Sequence, residues 1–264
     1  MKTCSAGLPY RISYGSVAKT HHTIFFCAPP RQPAPLPIAN QPSLIIPAIK
    51  TKEEPDLILN MRPDYQNVAG VLLFLAGFIA LMGIITGEIF YPAGYSTAHS
   101  EISDLGSTRP PEALIFQPSA TIFNTTMILA GILIITGAYC ASRSGWERWS
   151  SLLLGLLGVG ILGVGIFPGN VAVLHPLFAM FTFVIGGIAA VLSSRGLPGP
   201  YRYLSVILGA ITLLSLLLMG ILIPVLGDGG TERFVAYPLI FWLTGLGAYF
   251  LGRASMQQQA PHPA

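Results

Sequence analysis

Long apolar runs dominate the chain after its first quarter. There are six of them, each about 18 residues or longer, which is the length an α-helix needs to cross a hydrocarbon core of about 30 Å. Because the runs have almost no polar face, they do not fit amphipathic helices of a water-soluble domain. The sequence therefore predicts an all-α integral membrane protein, a six-helix bundle built from three helical hairpins. The predicted spans are 69–91, 120–141, 151–168, 175–193, 204–226 and 235–252.

The composition agrees with this pattern and excludes several partners. Hydrophobic residues make up 52% of the chain and charged residues only 9%, against about 25% charged in ordinary soluble domains. The predicted partner is therefore membrane lipid. The net charge of +3 is small and its basic residues are scattered, so no nucleic-acid partner is predicted. The three cysteines form no CxxC pair, and neither a metal nor a cofactor is predicted.

The first 68 residues differ from the rest, being rich in proline and lacking a long apolar run. This composition predicts a disordered cytoplasmic tail over 1–68, followed by the six-helix domain over 69–253 and a short cytoplasmic tail over 254–264. The tail has no apolar stretch of about 7–15 residues after a basic start, so it is not expected to be a secretory signal. An alternative is that the natural start is Met61.

Lysine and arginine are distributed unequally between the two sides of the predicted membrane. Since basic residues near helix ends accumulate on the cytoplasmic side, the distribution predicts cytoplasmic N- and C-termini in the cell membrane. The odd-numbered connections then face outward. The predicted inner side carries Lys50, Lys52, Arg62, Arg143, Arg148, Arg195, Arg202 and Arg253, and the outer side only Arg109 and Arg233.

Carboxylates, imidazole and guanidinium groups collect on the predicted outer side. They come from three separate connections and from the end of the first helix, so a closed bundle would bring them round one site. This asymmetry is the best functional pointer in the sequence. The residues are Glu88, His99, Glu101, Asp104, His175, Asp228, Glu232 and Arg233.

Four short sequence elements lie along these connections and helix ends, each at one place in the chain. In order, they are Ile102-Ser103-Asp104-Leu105-Gly106, Ile122-Phe123-Asn124, Phe167-Pro168-Gly169 with His175 soon after, and Glu232-Arg233. Their order over about 65–253 resembles the multi-pass membrane family catalogued as domain of unknown function 998. The resemblance implies a six-helix bundle of bacterial and archaeal membranes. It implies no chemistry, because the family has no established activity.

The residues leave three functions open. The first is a non-catalytic module that binds a lipid, a membrane-protein partner or a second copy of the chain at the outer edge. The second is an outer-leaflet lipid hydrolase or transferase, and whether the protein is an enzyme is left open. The third is a transporter, against which the apolar mid-helix positions count. The binding residues of the first hypothesis are Glu88, Glu101, Asn124, Glu232 and Arg233.

The enzyme hypothesis depends on one predicted contact. Asp104 would orient His175 as a general base, Ser100 or Ser103 would be the nucleophile, and Arg233 would hold an anionic headgroup. We therefore expect Asp104 to lie within direct or one-water hydrogen-bonding reach of His175 or Arg233. The alternative is that Asp104 only caps its own loop by accepting from a nearby backbone amide.

Overall fold

The computed structural model describes residues 64–259 and confirms the six-helix prediction. Each helix is long and apolar enough to cross a membrane. The predicted tail up to residue 63 and the alternative start at Met61 lie outside the described residues. The helices are α1 (Tyr65–Ile89), α2 (Ser119–Arg143), α3 (Arg148–Ile166), α4 (Leu174–Ser193), α5 (Pro200–Leu217) and α6 (Met219–Gln259).

The first helix begins four residues before the predicted span. Its start is set by Asp64, whose side chain accepts a hydrogen bond from the Asn67 amide at 3.2 Å. A side-chain oxygen at this position satisfies an amide that has no partner inside the helix. The local polar chemistry therefore extends α1 beyond its apolar run.

The predicted fifth span, 204–226, is wrong as a single helix. α5 ends at Leu217, and α6 begins at Met219 and carries a kink at Gly227, where φ is 77° and ψ is 171°. Hydrophobicity continues across both breaks, so the apolar pattern cannot reveal them. One consequence is that Glu232 and Arg233 lie on α6, one turn after its kink, and not in a connection.

The helices form a closed ring. Each helix packs on its neighbour in the chain, and α6 closes the ring by packing on α1. Because α4 also contacts α6 directly, α5 lies on the outside of the ring, against α4 and α6. α2 and α3 approach closely at Gly131 and Gly158, where a Cβ on either glycine would lie 3.0 Å or less from the other's carbonyl oxygen. Small residues allow such close packing where lipid supplies no hydrophobic drive between helices.

One end of the ring is covered by the long connection between α1 and α2, residues 90–118, which we call the α1–α2 loop. The loop contains a 3₁₀ turn at Ser103–Leu105. Ile102 and Leu105 are buried beside Ile84 and Phe123, so the loop adds its own apolar residues to the bundle core. We call this end of the bundle the polar end, because it holds the clustered ionisable residues.

Candidate functional site

Glu232 on α6 binds the backbone of the α1–α2 loop. Its carboxylate accepts a hydrogen bond from the Ile102 amide, and the Ser103 amide also faces it. These amides open the 3₁₀ turn and have no partner within it. An anion at the start of a helical turn is favourable for the same reasons as in helix capping. Glu232 therefore fixes the position of the Ile102–Leu105 segment.

Arg233, the next residue, binds the same loop through carbonyl groups. One terminal nitrogen donates to the carbonyls of Thr97 at 2.9 Å and Ser100 at 3.0 Å, and to that of Gly229 on its own helix at 2.9 Å. The other donates to the Glu88 carboxylate at 2.6 Å and to the Tyr95 hydroxyl at 2.7 Å. Arg233 is only 9% exposed.

Glu232 and Arg233, with their partners Glu88 and Tyr95, form what we call the loop clamp. It joins the end of α1, the α1–α2 loop and α6. Both terminal guanidinium nitrogens of Arg233 are occupied within the protein, and its Nε is buried without a hydrogen-bond partner among the described residues. The role of Arg233 as the anchor for an anionic headgroup stays a prediction. Glu88, an expected binding residue, serves as the counter-ion of Arg233.

Tyr95 completes the clamp through a hydroxyl that acts in both directions. It accepts from Arg233 and donates to the Glu101 carbonyl at 3.2 Å. Burial raises the pKa of Tyr95, so its proton is retained at neutral pH and remains available for this bond.

Asp104 caps its own loop. Its carboxylate accepts a hydrogen bond from the Glu101 amide at 2.8 Å. Among the described residues, Asp104 makes no direct hydrogen bond to His175 or to Arg233. The expected direct contact is thus absent, and the capping alternative describes the geometry. Burial raises the pKa of Asp104, an effect that the nearby Glu101 amide, Arg109 and His175 oppose. A water-mediated link between Asp104 and His175 stays a prediction.

Glu101 belongs to a small ionic group on the same loop. It pairs with Arg109 at 2.7 Å, and the Ser103 hydroxyl lies 3.4 Å from its carboxylate. Burial raises the pKa of Glu101, Arg109 opposes the shift, and Asp104 adds to it. Since the Ser103 hydroxyl bonds to Glu101 and no described hydrogen bond joins it to His175, the proposed nucleophile and base are not directly paired. Their catalytic roles stay predictions.

His175 lies in the first turn of α4 and is only 2% exposed. Its Nδ1 lies 2.7 Å from the carbonyl oxygen of Phe167, at the end of α3. A carbonyl only accepts, so Nδ1 carries the proton and Nε2 of the neutral ring is an acceptor. Nε2 makes no hydrogen bond to any residue in the described range.

A narrow cavity of about 90 Å³ lies below the loop, inside the ring. Phe123 and Ile134 of α2 both line it, and so do Glu232 and Leu243 of α6. Each pair is eleven residues apart, so the cavity runs about 16 Å along the helices. Its polar lining residues are Ser103, His175, Thr182 and Glu232; the others are apolar.

The polar groups sit at one end of this cavity. Ser103, His175 and Glu232 line it from the loop and from the first residues of α4 and of α6 after its kink. Thr182, farther along, donates its hydroxyl to the Phe178 carbonyl at 2.8 Å. We call the polar end of the cavity, lined by Ser103, His175 and Glu232, the head region, and the mostly apolar remainder the shaft.

The chain matches a model of a known protein family. A family model described as "Protein of unknown function (DUF998)" matches residues 74–249. The chain belongs to the DUF998 family. No curated protein and no solved structure matches it. The match confirms the resemblance found in the sequence, and for this DUF998 protein it spans the α1–α2 loop, the loop clamp and the cavity.

In this DUF998 protein Asn124 has a local role. Its amide nitrogen lies 3.5 Å from the Gly106 carbonyl. Its side-chain oxygen is buried without a hydrogen-bond partner in the described part of the chain, and a Cβ on Gly106 would overlap that oxygen. Gly169 packs on the Ser107 carbonyl in the same way. These contacts explain why Gly106 and Gly169 stand in two of the four short sequence elements.

The sequence did not point to Tyr95 or Thr97, and it pointed to Ser100 only as an alternative nucleophile, not as a partner of Arg233. Thr97 and Ser100 contribute only backbone carbonyls, which every residue has, so no side-chain signal could identify them. Tyr95 had a weak signal, an amphipathic aromatic beside charged residues in a membrane-edge loop.

Proposed function

We propose that this protein binds a single-chain membrane amphiphile inside its helix bundle, with the headgroup at the polar end. The observation that carries the proposal is the narrow cavity whose ionisable lining residues, His175 and Glu232, lie at one end. Ligand sites are typically concave, mostly apolar and marked by a few convergent polar groups, and this cavity has that kind of lining. Its volume of about 90 Å³ is smaller than that of a usual ligand pocket, so an incoming chain would displace apolar side chains of the wall. A length of about 16 Å along the helices suits an extended chain better than a ring system.

The shape of the cavity favours binding over transport. Past Ile134 and Leu243 the buried side chains of Leu73 and Leu246 fill the ring. A carrier needs polar groups or broken helices near the membrane centre, and this packed region is apolar. The cavity therefore supports a site entered from the polar end.

We also propose that the polar end faces outward from the cell membrane and that both termini are cytoplasmic. The opposite end carries Arg143 and Arg148, at the facing ends of α2 and α3, together with Arg195, between α4 and α5, and Arg202, in the first turn of α5. Basic residues in short connections are retained on the cytoplasmic side. The ligand would then be drawn from the outer leaflet.

Photoreactive chains test the proposal. Tetradecylamine, tetradecanol and tetradecanoic acid, each with a diazirine near the chain end, are added to the protein in nanodiscs, and cross-links are mapped by peptide mass spectrometry. We expect at least one probe to label apolar wall residues such as Met127 or Leu157. Labelling confined to lipid-facing residues such as Leu177 would overturn the proposal.

A cavity-filling variant and a matched control sharpen the result. Ala236→Phe places a large side chain in the cavity wall, whereas Leu177→Phe changes an exposed position on α4. Ala236→Phe should reduce wall labelling by about tenfold, the change that a loss of 1.4 kcal/mol of binding free energy produces. Leu177→Phe should leave the labelling unchanged. Equal labelling of both variants would contradict the site.

A further inference from the structure

The head region of the cavity offers hydrogen-bond acceptors, and the described residues that line it include no cationic side chain. The His175 Nε2 is an acceptor that no described residue satisfies, and it belongs to a side chain that is 2% exposed. An acceptor that lines a cavity and has no partner in the protein is available to an external donor. Glu232 adds carboxylate oxygens and Ser103 a hydroxyl oxygen to the same lining.

Glu232 has no cationic partner among the described residues. The two basic side chains at the polar end are each paired with another carboxylate, Arg233 with Glu88 and Arg109 with Glu101. Two backbone amides face Glu232 but carry no full charge. A carboxylate held away from bulk water is stabilised strongly by an added positive charge.

The wider charge distribution acts in the same direction. Within the described residues the polar end carries the acidic groups Glu88, Glu101, Asp104, Glu112, Asp228 and Glu232 but only Arg109 and Arg233 as basic groups. An excess of carboxylates attracts cations and repels the phosphate and carboxylate heads of common anionic lipids. An anionic amphiphile is therefore disfavoured at this site.

From these groups we infer that the ligand is a long-chain amine, whose protonated head lies between Glu232, His175 and Ser103 while its chain fills the shaft. An ammonium group has three hydrogens to donate. The three lining side chains supply one acceptor each: the carboxylate, Nε2 and the hydroxyl oxygen. An alcohol has one hydrogen to donate and no charge to offer Glu232. This inference rests on the proposed function, since it names the headgroup for that cavity.

Headgroup comparison on the unmodified protein tests the inference without any variant. Native mass spectrometry in nanodiscs compares tetradecylamine, tetradecanol and tetradecanoic acid, which share one chain. We expect the amine to bind at least about tenfold more tightly than the alcohol, as a charge-assisted contact would produce, and the acid to bind most weakly. Equal affinities for all three heads, or tighter binding of the acid, would overturn the inference.

Two variants separate this inference from the proposed function. Glu232→Gln keeps an oxygen to accept the Ile102 amide but removes the charge, so it should lower the ratio of amine affinity to alcohol affinity by about tenfold, to near one. Ala236→Phe should reduce binding of every head. If Ala236→Phe blocks binding but the three headgroups bind the unmodified protein equally, the cavity is the binding site and the inference of an amine headgroup is wrong. If Ala236→Phe has no effect on any probe, the proposed function itself fails.

Discussion

Glu232 and Arg233, adjacent on α6, hold opposite kinds of backbone group of one loop. Glu232 accepts from the Ile102 amide, whereas Arg233 donates to the carbonyls of Thr97 and Ser100. Successive helical side chains differ by about 100° in direction, so the loop curves around that part of α6. The pair thus closes the polar end and places Glu232 at the cavity.

The clamp predicts a large stability effect at Arg233. Arg233→Ala should lower the free energy of unfolding by about 3–5 kcal/mol, because it leaves Glu88 without its counter-ion in a mostly buried setting. Arg109→Ala is the control: the Arg109 side chain is 60% exposed, and loss of its pair with Glu101 should cost about 1 kcal/mol or less. Reversible unfolding in mixed micelles measures both. Similar losses would show that the clamp is not buried in the membrane-embedded protein.

Asp104 should be replaceable by asparagine but not by alanine. Asparagine keeps a side-chain oxygen that can accept from the Glu101 amide, whereas alanine removes it. Asp104→Ala should cost about 1 kcal/mol, the typical value for loss of a cap, and Asp104→Asn much less. Thermal unfolding of the two variants in detergent compares them. If Asp104→Asn abolishes probe binding while the protein stays folded, the water-mediated site with His175 gains support over simple capping.

Stability should rise when the pH is lowered from neutral toward the ordinary pKa values of Asp104 and Glu101. Burial raises both pKa values in the folded protein, so the folded state binds more protons than the unfolded state in that window. The gain should be complete below the unfolded pKa values of about 4 and be lost as the pH rises through the folded pKa values. Melting curves at stepped pH values measure it. Asp104→Asn with Glu101→Gln should flatten the dependence, and an unchanged slope would assign it to other groups.

Close packing of the loops predicts different responses from two glycines. A Cβ on Gly169 would overlap the Ser107 carbonyl oxygen, whereas a Cβ on Gly220 meets nothing within 4 Å. Gly169→Ala should therefore cost about 1–3 kcal/mol. Gly220→Ala, in a helix, should be neutral or stabilising by up to about 1 kcal/mol. Thermal midpoints in detergent test the contrast, which would be refuted by equal shifts of the same sign.

Cysteine accessibility tests the proposed orientation. In a variant without native cysteines, Glu112→Cys lies in the α1–α2 loop and Ser142→Cys at the other end of α2, and both positions are exposed. A membrane-impermeant maleimide should label Glu112→Cys in intact cells and Ser142→Cys only after permeabilisation. The reverse labelling pattern would place the polar end in the cytoplasm.

The sequence by itself determined the number of helices and the approximate position of most of them. Lipid requires each spanning segment to satisfy its backbone internally and to be apolar, and both conditions are local. The gathering of ionisable residues at one end was also readable, because it follows from their positions relative to the spans. The break after Leu217 was not, since apolar residues continue through it.

Only the tertiary structure decided which of those residues meet. Arg233 binds Glu88 at a separation of 145 residues, and Glu232 binds the Ile102 amide at a separation of 130. Asp104, which was predicted from the sequence to contact His175 or Arg233, instead accepts a hydrogen bond from the Glu101 amide three residues away. Such pairings depend on how the ring closes and on backbone groups that every residue carries. The cavity between the helices depends on the same packing, which no single segment encodes.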